Sequence, residues 1–77
     1  MLKIDGFDYC ILGISRRIGS DDILIYDPTE IVVKLMRENG MDCGEAWEYF
    51  EFNIAGAYMG EGTPCFIEPY DEEVYHA

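Results

Sequence analysis

Asp27-Pro28-Thr29-Glu30-Ile31-Val32-Val33-Lys34-Leu35-Met36-Arg37-Glu38-Asn39-Gly40-Met41-Asp42-Cys43-Gly44-Glu45 is the stretch that decides the fold. It contains two helix starts and one helix stop. Asp27 offers a carboxylate to the orphan amide at Glu30, Pro28 occupies the first helical position, and Glu30 can reach back to complete a capping box. Ile31, Val32, Leu35 and Met36 then recur at helical spacing, and Gly40 supplies a left-handed terminator. The first helix is therefore expected over Pro28 to Asn39. Asp42 and Glu45 repeat the capping grammar at once, with Met41 placed to staple against Ala46. Trp47, Phe50, Ile54, Ala57 and Tyr58 continue at helical spacing, with Gly56 a weak point and Gly60 the expected end. Two helices joined by so short a link must fold back as a helical hairpin.

On the N-terminal side, Phe7-Asp8-Tyr9-Cys10-Ile11-Leu12-Gly13-Ile14 is rich in β-formers and reads as a strand buried on both faces or nearly so, with Gly13 marking a bulge or a close approach by a helix. Arg16 to Asp22 has turn composition, and Ile23-Leu24-Ile25-Tyr26 makes the return strand of a β-hairpin. After the turn chemistry of Gly60-Glu61-Gly62-Thr63-Pro64, Cys65-Phe66-Ile67 is long enough for one short third strand. The expected architecture is α+β: a β-β-α-α-β domain with a three-stranded antiparallel sheet and the helical hairpin on one face. The domain is expected to span residues 1–68, and the acidic, proline-punctuated residues 69–77 to form a flexible tail.

Composition bounds the function. Sixteen Asp and Glu face five Lys and Arg, a net charge of -11 on 77 residues. Such a field repels nucleic acid and anionic membranes and attracts basic surfaces. The expected partner is thus the basic surface of a nucleic-acid-binding protein, with no direct binding of nucleic acid or membrane. With 49% apolar and 14% aromatic residues the chain still has the composition of a folded protein. Cys10, Cys43 and Cys65 are odd in number and widely spaced, which argues against a disulfide framework or a Cys-x-x-Cys metal site and fits a reducing cytoplasm. Met1-Leu2-Lys3-Ile4-Asp5 lacks the apolar core of a signal peptide, and no apolar run approaches the ~18 residues of a membrane span.

Candidate chemistry concentrates on the second helix, which carries no base. Glu45, Glu48 and Glu51 recur every three residues, rising ~4.5 Å per step. That step is of the order of the ~3.4 Å axial phosphate spacing of one DNA strand, so with Glu38, Asp42 and Glu61 nearby the stripe can imitate a short phosphate track. The same stripe also fits the solvated face of an amphipathic helix. Tyr49 and Phe52 are expected between the glutamates, where exposed aromatics suit a protein interface; a wide core face is the alternative. Cys43 lies in a helix's first turn, yet Asp42 and Glu45 oppose a thiolate there, while Cys10 and Cys65 read as core. His76 stands near the end of the tail, and Asp71-Glu72-Glu73 lacks the pattern of an EF-hand loop. Neither catalysis nor a cofactor or metal is expected.

Glu48-Tyr49-Phe50-Glu51-Phe52-Asn53-Ile54-Ala55-Gly56-Ala57-Tyr58-Met59-Gly60-Glu61-Gly62-Thr63-Pro64, preceded by Gly40-Met41 and Glu45-Ala46, resembles a pattern in small uncharacterised proteins of bacteriophages and prophages. Tyr9-Cys10-Ile11-Leu12-Gly13 and Tyr26-Asp27 look similar to the same group. The resemblance implies a phage or mobile-element origin and a host bacterial cytoplasm, and it carries no active site. Small acidic phage proteins are often inhibitors of host defence, among them anti-restriction and anti-CRISPR proteins that occupy nucleic-acid-binding surfaces. By that analogy of class and charge the chain is expected to be a nucleic-acid mimic of this kind. The alternative is a structural or regulatory interaction protein, homodimeric in one form, whose acidity serves solubility.

Overall fold

The computed structural model describes residues 1–16, 18–19, 21–57, 60 and 62–70. A 3-10 turn at Asp8–Cys10 leads into β1 (Ile11–Ser15), which pairs antiparallel with β2 (Ile23–Tyr26). Helix α1 (Pro28–Asn39) follows, then α2 (Cys43–Tyr49), a π-helical continuation (Phe50–Ala55), and the two-residue strand β3 (Cys65–Phe66). The result is a small α+β domain with a three-stranded sheet in the order β1-β2-β3.

The sheet is mixed rather than antiparallel, because β3 pairs parallel to β2 through Ile25 opposite Cys65 and Tyr26 opposite Phe66. The connection allows this direction: parallel neighbours require a crossover of a dozen or more residues. Residues 27–64 supply that crossover, and the pairing is extended by the Ile67 amide donating to the Tyr26 carbonyl at 3.1 Å.

The first strand also differs from expectation. Residues 8–10 wind into the 3-10 turn, and the strand begins only at Ile11. A bulge falls between Ile11 and Gly13, as the glycine suggested, but a Cβ on Gly13 would meet nothing within 4 Å, so no helix approaches it. Nor is the strand buried on both faces. Leu12 and Ile14 are 57% and 51% exposed, because β1 is a sheet edge and the helices pack toward its Cys10 end.

Helix α1 has the expected bounds, and Gly40 ends it in the left-handed conformation at φ 67°. Its start is simpler than a capping box. The Asp27 carboxylate accepts from the Thr29 amide at 3.0 Å, one residue earlier than expected, since the amides of the first turn compete for the same cap oxygen. The full box forms at α2 instead: the Glu45 amide donates to Asp42 Oδ1 at 2.8 Å, and the Asp42 amide donates to Glu45 Oε1 at 3.4 Å.

Cys10, Tyr26, Ile31, Val32, Leu35, Ala46 and Phe50 form the buried core, with Met41, Ile54 and Phe66 packed against it. Phe50 meets Phe66 and Trp47 edge-on, at centroid distances of 4.9 and 5.8 Å. These T-shaped contacts tie α2 to β3. Tyr26 is completely buried, and its hydroxyl is satisfied by the Ile4 amide at 2.9 Å. Three core expectations are corrected. Trp47 is 36% exposed, Ala57 is exposed, and Cys65 is only half-buried at the sheet edge, while Tyr58 lies outside the described residues. For Ala57 the cause is that the second helix does not run on to Gly60: its α-helical part stops at Tyr49, and the wider π turns from Phe50 to Ala55 rotate later side chains away from the phase that an unbroken helix would give. Trp47 precedes those turns and packs edge-on to Phe50 at the margin of the core.

Candidate interaction surface on the second helix

The sequence of α2 fixes which side chains it shows. With Ala46 and Phe50 committed to the core, residues on the opposite side of the helix are left to solvent. An α-helix advances about 100° per residue, so Glu45, Glu48 and Tyr49 fall on one outward stripe at i, i+3 and i+4, and Phe52 in the π turns continues it. These four, with Met41 below and Asn53 above, line a shallow groove of about 310 Å³. Tyr49 and Phe52 are 41% and 76% exposed, so the aromatic pair points outward between the glutamates.

Not every residue expected at the surface shares this groove. Glu51 stands about 120° around the axis from Glu45 on helical geometry and does not line it. Asp42 caps α2 and does not line the groove, whereas Glu45 lines it while one of its oxygens accepts from the Asp42 amide at 3.4 Å. Glu38 pairs with Lys34 one turn earlier at 3.5 Å, so its charge is locally balanced. Glu61 lies outside the described residues. The structure therefore brings together Glu45, Glu48, Tyr49 and Phe52, and adds two residues that were read differently or not at all. Met41 combines its packing against the core with a place in the groove. Asn53 follows Tyr49 by four residues, and that spacing is the signal in the sequence that places it on the same face.

The electrostatics of the groove depend on where the cations are held. Lys34 donates to the Gly6 carbonyl, pairs with Glu38, and lies 5.0 and 5.5 Å from the ring centres of Phe7 and Tyr9. Arg37 donates to the Tyr9 hydroxyl at 3.5 Å, Lys3 pairs with Asp8 at 3.3 Å, and Arg16 approaches Asp22 at 3.9 Å. All four described cations thus serve the N-terminal segment, the β-hairpin or α1. No base occurs between Cys43 and Ala55, so Glu45 and Glu48 face the groove without a neighbouring positive charge from their own helix.

Among the described residues the thiols and carboxylates make no other centre. Cys43 is exposed at the start of α2, and Cys10 is buried, its thiol pushed up by desolvation and by Glu30 and Asp27, with Lys34 opposing. Among the described residues no group of three His, Cys, Asp or Glu side chains is placed to hold a metal ion. No described helix is long and apolar enough to cross a membrane. No protein-family model, curated protein or solved structure matches the chain.

Proposed function

We propose that the protein is a small, non-enzymatic inhibitor that uses the outward face of its second helix to cover a basic nucleic-acid-binding surface of a larger protein. A single observation carries this reading. Glu45 and Glu48 line one groove with the exposed rings of Tyr49 and Phe52, while the four described cations are engaged elsewhere. Carboxylates in this setting accelerate and orient encounter with a basic surface, and aromatic anchors hold the complex once formed. The resemblance to phage proteins and the net charge of -11 favour a bacterial defence complex as the target, for example a CRISPR effector with a positively charged nucleic-acid channel. On this reading the protein acts in the host cytoplasm by occupying the phosphate-binding surface, with an anti-CRISPR or anti-restriction outcome.

The test is the double change Glu45→Gln and Glu48→Gln, with Glu51→Gln as a control off the groove. Glutamine can still serve the capping box, so the helix start is preserved. The double variant should bind its partner more weakly and with a shallower dependence on salt, as measured by calorimetry at several salt concentrations. Retention of full affinity and inhibition by the double variant would sink the proposal.

A second reading has its own observation in the sheet. Leu12, Ile14 and Ile67 are more than half exposed. Such residues suit contact with a second copy, and the protein would then be a homodimeric structural or regulatory module whose acidity keeps it soluble. A concentration-dependent mass in light scattering that is lost on changing Leu12 and Ile14 to Thr, together with no captured basic partner, would favour it.

A further inference from the structure

Resting on the interface reading above, we infer that the groove of the second helix is built for arginine side chains of a protein partner, in preference to lysine. The argument starts from the order of side chains along the helix. Glu45 is followed four residues later by Tyr49, and Glu48 four residues later by Phe52, and all four line the same groove. Residues at i and i+4 of a helix are surface neighbours, and the shared groove sets both rings beside the two carboxylates, Tyr49 at the end of α2 and Phe52 in the π turns. The unit is a carboxylate beside a ring, and it occurs twice, offset by three residues or ~4.5 Å along the axis.

Such a unit distinguishes the two basic side chains. A guanidinium is planar, binds a carboxylate through two parallel N–H groups, and stacks on an aromatic face while doing so. A lysine ammonium is a compact, strongly hydrated point charge that gains from the carboxylate but loses more hydration when pressed against a ring. With Tyr49 41% and Phe52 76% exposed, both rings have area to offer. Asn53, at the end of the groove, adds a side-chain carbonyl that can accept a further guanidinium N–H. The charge sign excludes an acidic occupant: the groove has two carboxylates, and none of the described cations belongs to its walls.

Rings and a carboxylate also hold cations of this chain beside its N-terminal segment, where the ring-side cation is a lysine, so the preference for arginine rests on the geometry of the groove. Lys34 sits within cation-π range of both Phe7 and Tyr9 and pairs with Glu38, while Arg37 reaches the Tyr9 hydroxyl. On the second helix the rings and carboxylates are present, and the partner supplies the cation. The matching surface is a helix with two arginines on one face, spaced to meet the two units.

The experiment titrates the full chain, labelled with nitrogen-15, with two synthetic helical peptides of identical length and charge. One presents arginine at i and i+4, the other lysine at the same positions. The arginine peptide should bind at least fivefold more tightly, with the largest amide shifts confined to residues 45–53. Changing Tyr49 and Phe52 together to Ala should abolish the arginine preference while leaving circular dichroism unchanged, since both side chains are exposed. Equal affinity for the two peptides, or shifts spread over acidic residues of α1 and the N-terminal segment, would overturn the inference. The two failures are separable. If Glu45→Gln/Glu48→Gln weakens binding to the basic partner but the peptides bind equally, arginine recognition falls and the interface reading stands; if that variant has no effect on the partner, both fall.

Discussion

Replacing Lys34 by Met tests how the N-terminal segment is held to α1, because methionine keeps the apolar stem and removes only the charge. Lys34 is 22% exposed at its side chain and makes four contacts: the Gly6 carbonyl, the Glu38 carboxylate at 3.5 Å, and the rings of Phe7 and Tyr9 at 5.0 and 5.5 Å. A hydrogen bond from a charged group contributes about 1.5–3 kcal/mol, and a partly exposed site belongs at the lower end of that range. The two ring contacts together add about 1 kcal/mol. The pair with Glu38 adds no more than about 0.5 kcal/mol, since Glu38 is 54% exposed and the ion pair is screened. Losing the base also adds one further negative unit to a net charge of -11, which acts in the same direction. The expected loss is about 2–3 kcal/mol. Urea unfolding at fixed salt reads it directly; with a slope near 1 kcal/mol per molar, of the size expected for so small a domain, the midpoint should fall by roughly 2 M. Glu38→Gln, which removes only the ion pair, should cost less than about 0.5 kcal/mol. The reasoning is refuted if Lys34→Met costs under 0.5 kcal/mol, or if Glu38→Gln costs as much as Lys34→Met.

Two further outcomes follow from the structure. Gly56→Ala should destabilise, although alanine is favoured in helices by about 1 kcal/mol: its Cβ would sit 3.0 Å from the Glu51 carbonyl oxygen and 3.3 Å from that of Phe52, and Glu51 already accepts from the Gly56 amide at 3.0 Å. A raised melting temperature for this variant would show that the π turns are not needed. Stability should also decline in alkali through Cys10. Its thiol is raised by desolvation first, then by Glu30 and Asp27. The native state therefore holds the proton longer than the unfolded chain, so the contribution is complete below the ordinary thiol range near pH 8.5 and is lost as pH rises through the folded value. Unfolding free energies of the wild type should fall more steeply above pH 8.5 than those of Cys10→Ala, by up to about 1.4 kcal/mol per pH unit; parallel profiles would disprove the link.

Much of the candidate surface was legible because it depends on local spacing. Glu45, Glu48, Tyr49 and Phe52 lie on one stretch of one helix, and helical periodicity alone places them on a common face. Glu51 was grouped with them by its three-residue spacing, but that spacing drifts around the axis and carries it off the groove. Glu38 belongs to the expected surface by position, yet its carboxylate pairs with Lys34, while Asp42 caps α2 as its place three residues before Glu45 predicts.

By itself, the sequence determined what short-range physics controls. It set the bounds of α1, the left-handed stop at Gly40, the capping box of Asp42 and Glu45, the return strand Ile23–Tyr26 and the bulge near Gly13. Each rests on neighbours within a few residues, where side-chain chemistry and backbone geometry leave few choices. Tertiary structure decided the rest. The parallel direction of β3 depends on how the crossover over residues 27–64 closes. The exposure of Leu12 and Ile14 depends on how far the helices cover the sheet, and the second helix passes into π turns at Phe50, the residue whose ring meets both Trp47 and Phe66. Those outcomes are set by long-range packing, where burial of a few large side chains outweighs local propensity.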